Sequence, residues 1–282
     1  MSDSATPPVT APAAPLPLQA LHADVVTRLR AAGCVFAEDE AHIILATATS
    51  PQEAADMVAR RAGGLPLEHV VGWADFCGLR IAVDPGVFVP RRRTELLVHE
   101  AAALGRAAAA PGREPVVVDL CCGSGAVGAA LAAALGRVRL YAADLDPAAV
   151  ACAARNLAAA GGQVHCGDLF AALPPQVRGT VDLLAANVPY VPSGSVGLLP
   201  AEARDHEALI ALDGGGDGLD VMRRVAAQAA GWLAPGGSLL TEASERQAAA
   251  AEGILAAAGL ATRVATDDDL GATVLIGTRP AD

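Results

Sequence analysis

Apolar residues recur with two different periods along this chain, and the change of period marks its organisation. Between about 18 and 64, Leu21, Val25 and Leu29 fall four apart, as on one face of a helix, and Gly33 supplies a stop. Ala41, Ile44 and Leu45 predict a second helix. Ser50-Pro51-Gln52-Glu53 predicts the start of a third, with Ser50 as N-cap, Pro51 at the first helical position and Glu53 closing a capping box. A small helical domain over 18–69 follows. From 70 to 92 the apolar positions crowd together between Gly72, Gly78 and Asp84-Pro85-Gly86, which predicts a β-hairpin linker. A helix is expected over 96–104. Beyond Arg113, strands are predicted at 116–120, 138–143, near Val164, and at 181–186, 238–242, 261–265 and 273–277. Helices are predicted at 123–135, 146–160, 218–233 and 245–258, with a turn at Pro235-Gly236-Gly237. This alternation over 93–282 is that of an α/β, Rossmann-like fold. It implies a doubly wound, mostly parallel sheet with right-handed crossovers and ligands at the C-terminal strand ends.

Composition narrows this picture. The apolar share of 53% is ample for a core, and no long apolar run is free of charges and turn residues, so no membrane span is expected. Residues 1–17 are rich in Pro, Ala, Ser and Thr without a basic start; they predict a disordered tail rather than a signal peptide, and a cytoplasmic home. Net charge is −11 and all 20 basic residues are Arg. Without Lys there is no Schiff base and no Walker lysine. The acidic balance argues against broad nucleic-acid binding. The six cysteines, at 34, 77, 121, 122, 152 and 166, form no C-x-x-C pair and read as reduced, buried thiols rather than a metal site. Trp73 and Trp232 are assigned to the core.

The chemistry begins where 116–120 ends. Asp119, Cys121, Cys122, Gly123, Ser124 and Gly125 form a small-residue turn into a helix, and Gly123 to Gly128 matches G-x-G-x-x-G. Such a turn lets a ligand approach the backbone and meet free N–H groups. Asp144, at the next strand end, could accept both hydroxyls of a ribose. Asp168 could meet an adenine amino group, with Leu169 or Phe170 against the ring. A dinucleotide and S-adenosyl-L-methionine both fit these features.

Asn187-Val188-Pro189-Tyr190 favours the methyl donor. An amide or aromatic amine is a poor nucleophile because its lone pair is delocalised. Accepting both of its N–H bonds, at Asn187 Oδ1 and the Val188 carbonyl, would enrich the nitrogen and aim it. Pro189 would stiffen the turn and Tyr190 would pack on the flat face. Glu202, Arg204, Asp205, His206 and Glu207 read as a solvated loop network that orders a lid, rather than a metal or acid/base cluster. Arg91 to Arg93 read equally as a docking patch for an acidic partner or as a solvated helix flank.

These segments, in this order, resemble the HemK/PrmC-type protein-(glutamine-N5) methyltransferases, which modify a glutamine in peptide chain release factors. The resemblance runs from about Leu18 to the C-terminus. It includes Val89-Pro90-Arg91, Thr94-Glu95, the Gly turn, Ala143-Asp144, Gly167-Asp168-Leu169-Phe170 and Asn187-Val188-Pro189-Tyr190. It continues through 202–207, 211–219, Pro235-Gly236-Gly237 and Gln247. It implies a class I methyltransferase fold, a helical N-terminal domain that recognises the substrate, and S-adenosylmethionine bound by Cys121 to Gly125, Asp144, Leu169 and Asn187. It also implies a glutamine amide held by Asn187 to Tyr190. The chain departs from the family pattern at Val188, where a Pro is usual, and at Cys121-Cys122-Gly123, where the family has Gly-Thr-Gly. It also departs at Arg92-Arg93 and at Gly271-Ala272-Thr273-Val274. These departures mark a subgroup. Alternatives are amino-group methylation of a nucleic acid or a small molecule, or donor binding without activity.

Overall fold

Helices α1 (Leu18–Ala31), α2 (Ala37–Thr47), α3 (Pro51–Ala62) and α4 (Leu67–Val71) close on one apolar cluster that includes Val25, Leu29, Ile44, Met57 and Val70. The computed structural model describes residues 18–108 and 112–281; the predicted tail at 1–17 lies outside them. The chain divides into two compact units, one ending at Val71 and one beginning at Gly72. In the first, Arg61 reaches Glu40 through two bonds, Nε to Oε2 at 2.7 Å and Nη2 to Oε1 at 2.9 Å. This bidentate pair ties α3 to α2 in a buried setting.

The start of α3 forms as predicted but with a shifted cap. Ser50 Oγ accepts from Glu53 N at 3.2 Å, whereas the Glu53 carboxylate takes the N–H of Thr49 at 2.6 Å, not that of Ser50. Replacing Ser50 by Ala is expected to destabilise the chain by about 1 kcal/mol, read from urea unfolding followed by helical circular dichroism.

The second unit opens with β1 (Trp73–Phe76) paired antiparallel to β2 (Leu79–Ala82). This hairpin is shorter than predicted. Val70 and Val71 belong to α4, and Val87 to Val89 lie outside any named strand. Phe76 and Ile81 are buried in the core of the second unit, so the hairpin is part of that unit rather than a free-standing linker. Trp73 is half-buried beneath the Arg80 guanidinium, 3.7 Å from the ring centroid, and is not a core residue. Of the cysteines, 122 and 152 are buried, 34, 77 and 121 are half-buried and 166 is exposed, which corrects the expectation of uniformly buried thiols.

The main sheet holds β3 (Val116–Leu120), β4 (Arg139–Asp144), β5 (Gln163–Cys166), β6 (Val181–Ala186), β7 (Leu233–Glu242), β8 (Ala261–Asp267) and β9 (Ala272–Thr278). Their order is β5-β4-β3-β6-β7-β9-β8. Pairing is parallel from β5 through β7; β9 then runs antiparallel to both β7 and β8. β3 is buried at every position, as a strand covered on both faces requires. Helices α5 (Glu95–Ala107), α6 (Ala126–Leu135) and α7 (Pro147–Leu157) cover one face; α9 (Asp220–Trp232) and α10 (Ala248–Ala257) cover the other. A one-turn helix, α8 (Ala201–His206), precedes α9. The predicted turn at 235–237 lies inside β7, where the register against β6 shifts between Val181 and Leu183. Strand order reverses at β3, so the C-terminal ends of β4, β3, β6 and β7 open side by side.

Candidate active site

The turn after β3 is locked from beneath. Asp119 is 1% exposed, and its Oδ2 accepts from Gly128 N at 2.8 Å. Burial pushes its carboxyl up to about 8, the Asp144 charge adds to this, and the Gly128 N–H opposes it. The folded state therefore holds a proton that the unfolded chain releases near the ordinary carboxyl value of 3.8. The sign follows: Asp119 favours folding fully below that value and loses this contribution as pH rises through about 8. Asp119→Asn keeps an acceptor for Gly128 and cannot ionise. Its melting temperature is expected to fall less than the parent's between pH 4 and about 8; parallel curves would exclude this.

Above Asp119 the chain turns sharply. Cys121 and Gly123 both sit at φ +53° and Gly125 at φ +77°. A side chain at Gly123 would point towards Phe88, 3.9 Å away, and narrow the cleft the turn lines. Asp144 braces the turn from β4: its Oδ2 accepts from Gly123 N at 2.8 Å and its Oδ1 from Asp146 N at 2.9 Å. Burial raises its pKa against those two N–H groups. A carboxylate with about four acceptor sites retains capacity for two hydroxyls. Cys122 and Ser124 are buried along the same wall.

Asp168 and Leu169 line the cleft, with Asp168 Oδ2 accepting from Arg224 Nη2 at 2.5 Å. Phe170 does not line it. It stacks on Trp232 with ring centroids 5.2 Å apart in the core, so of the two residues expected against an adenine ring Leu169 faces the cleft.

At the end of β6, Asn187, Val188, Pro189 and Tyr190 line the same cleft, whose volume is about 470 Å³. The Val188 side chain belongs to the core cluster. Asn187 Nδ2 donates to Thr94 Oγ1 at 3.4 Å. Tyr190 donates its hydroxyl proton to Glu242 Oε1 at 2.6 Å. Burial, then the Glu242 charge, push the phenol well above its ordinary value, so Tyr190 stays protonated.

Glu242, at the end of β7 and 2% exposed, also accepts from Arg93 Nε at 2.8 Å and Thr94 Oγ1 at 2.7 Å. Sequence reading had not singled it out. The signal was a carboxylate closing the strand stretch Ser238-Leu239-Leu240-Thr241, at the same sheet end as Asp144 and Asn187. The backbone of the step is moulded from below: Gln247 Nε2 donates to Tyr190 O at 2.9 Å and to Asp217 O at 3.0 Å. Gly214 N donates to Val191 O at 2.8 Å.

The 202–207 cluster divides. Arg204 pairs with Asp205 at the surface, while buried Glu207 takes both bonds of Arg91 Nη2, at 2.6 and 2.7 Å, and the Val89 N–H at 3.4 Å. Among the described residues, no group of three or more His, Cys, Asp or Glu is placed to hold a metal. Arg91 and Arg93 are thus paired with Glu207 and Glu242.

The cleft suits S-adenosylmethionine. It has a bare-backbone turn, a carboxylate at the β4 end, apolar Leu145, Val127 and Leu169, and a volume in the range of small-molecule sites. The family model for the methyltransferase small domain matches residues 78–217. The release factor glutamine methyltransferase of Geobacter sulfurreducens is 36% identical over 235 residues, covering 82% of this chain and 80% of its own. The chain belongs to the release factor glutamine methyltransferase family. Its methyl donor is S-adenosylmethionine. A second relative of this methyltransferase is the 4-amino-L-phenylalanine/4-methylamino-L-phenylalanine methyltransferase of Streptomyces pristinaespiralis. It is 38% identical over 203 residues, 72% of this chain and 69% of its own. The fold is shared with the human METTL16 catalytic domain, solved with an RNA hairpin, at TM-score 0.57 and 15% identity over 80% of this chain and 83% of that one. Among the described residues, no helix is long and apolar enough to cross a membrane.

Proposed function

We infer that this methyltransferase methylates the side-chain amide nitrogen of a glutamine in a protein, and that the protein is a peptide chain release factor. The observation that carries the reading is the position of Asn187 to Tyr190. They open on the same cleft as the turn and Asp144, and the Tyr190 hydroxyl is already spent on Glu242. Asp119, Cys121, Cys122, Gly123, Ser124, Gly125, Asp144, Asp168, Leu169 and Asn187 would hold S-adenosylmethionine, which supplies an electrophilic methyl group when bound. Asn187 Oδ1 and the Val188 carbonyl accept the two N–H bonds of the substrate amide and aim its nitrogen. Pro189, lacking an N–H, offers no competing donor. The ring of Tyr190, fixed by its hydroxyl, forms a wall for the planar amide. No side-chain base is required, because the alkylated nitrogen is strongly acidic and gives its proton to water. The helical unit ending at Val71 is assigned to recognition of the protein substrate.

The test is transfer of a labelled methyl group to purified release factors, with mass spectrometry locating it on a glutamine. A second reading is favoured by the Streptomyces pristinaespiralis relative, whose substrate carries an aromatic amine. That nitrogen is also planar and delocalised and would meet the same two acceptors. Parallel assays with 4-amino-L-phenylalanine decide between them; label on the amino acid and none on release factors would overturn the protein reading.

A further inference from the structure

We propose that Thr94 and Glu242 are positioning residues that fix which end of the Asn187 amide faces the cleft. The proposal rests on the reading of Asn187 as an acceptor for a substrate N–H. A primary amide has two ends of almost equal size, so packing discriminates poorly between them. Their chemistry is opposite. With Oδ1 towards the cleft, Asn187 accepts from the substrate; reversed, it would oppose donor to donor.

The polarity originates at Glu242, whose carboxylate only accepts. Its Oε1 takes the Tyr190 hydroxyl at 2.6 Å and Arg93 Nε at 2.8 Å, and its Oε2 takes the Thr94 hydroxyl at 2.7 Å. Thr94 is 2% exposed and has a single hydroxyl proton. With that proton on Glu242, Thr94 Oγ1 offers lone pairs alone. The Asn187 atom facing it at 3.4 Å is therefore Nδ2, and Oδ1 is left for the cleft. The relay runs from substrate N–H to Asn187, from Asn187 to Thr94, and from Thr94 to Glu242.

A structural role for Thr94 would look different. It occupies the N-cap position of α5, where a hydroxyl ordinarily accepts from the helix's first N–H groups, yet its side chain makes no capping bond. The hydroxyl is directed across to β7 instead. The loop turn at Arg92–Thr94 and the Thr94 N–H to Arg91 O bond at 2.9 Å hold it there without the side chain.

Two arms test this on the full chain. In the first, Thr94→Val removes the hydroxyl and keeps the shape, and Thr94→Ser keeps the hydroxyl. Using release factor as the probe substrate, kcat of Thr94→Val is expected to fall about ten-fold or more, with the Kd for S-adenosylmethionine unchanged within about two-fold. Thr94→Ser is expected to stay within about three-fold of the parent. A smaller fall, or serine no better than valine, overturns the relay. The second arm needs no substrate. Neutron diffraction of the perdeuterated protein is expected to show the Thr94 deuteron directed at Glu242 and two deuterons on the Asn187 atom facing Thr94. The opposite amide orientation overturns the proposal. If the parent protein methylates no release factor, the substrate reading fails while the diffraction arm still decides the relay.

Discussion

Asn187→Ala is expected to slow methyl transfer by about 100- to 1,000-fold, the scale seen when one preorganised polar group is removed from a reaction centre. The loss arises because one substrate N–H would face a desolvated cleft without a partner. The Val188 carbonyl would still accept the other N–H, which leaves a residual rate. Stability should change little, because the Asn187 side chain is half-buried and its bond to Thr94 is long, at 3.4 Å. Single-turnover rates with labelled donor separate the two roles given to Asn187. A loss confined to the donor's Kd, with the rate at saturation unchanged, would remove it from the reaction centre.

Gly218→Ala is expected to damage the mould under that step severely. Gly218 sits at φ +82°, and an added Cβ would lie 2.3 Å from Tyr190 O and 2.5 Å from Gln247 Nε2. The first is backbone, and the second is held by its own bonds to Tyr190 O and Asp217 O. A left-handed alanine costs about 1–2 kcal/mol. Overpacking a filled site adds about 1–3 kcal/mol. The matched control is Gly216→Ala, where an added Cβ meets nothing within 4 Å. Its expected effect is within about 0.5 kcal/mol. Urea unfolding of both variants decides; equal midpoints would show that the Tyr190 backbone can move aside. Methyl transfer by Gly218→Ala should fall as well, since displacing Tyr190 O breaks the Gln247 clamp.

The parts of the fold legible in the sequence are those specified locally. Val116–Leu120 and Val181–Ala186 are short, mostly apolar runs, each broken by a single Asp, between turn residues, and both strands form over the predicted residues. Asp146-Pro147 announces the start of α7, and Asp146 Oδ1 does accept from Ala148 N at 2.8 Å. The hairpin was over-read because Val70 and Val71 carry strand-like side chains but finish a helix that packs on Ile44 and Val58. Tertiary burial outweighed the β-branched propensity there. The candidate site was legible wherever a turn or strand end carries its own chemistry, as at Gly123, Asp144 and Asn187. Glu242 was not, because its meaning depends on residues 148 and 149 positions away, Thr94 and Arg93, brought to it by strand order. The partners of Arg91 and Arg93 were hidden for the same reason: the carboxylates that accept them, Glu207 and Glu242, lie more than 100 positions away.

The buried carboxylate at the end of β7 also bears on inheritance. Thr94 lies before the main sheet begins and Glu242 near its end, with Asn187 and Tyr190 between them. A genetic crossover between two relatives at any point from 95 to 241 would draw the two halves of this hydrogen-bonded set from different parents. Recombinants would therefore keep this hydrogen-bonded set only where both parents share the same pairing, so it is passed on as one allele although it is written in three separate stretches.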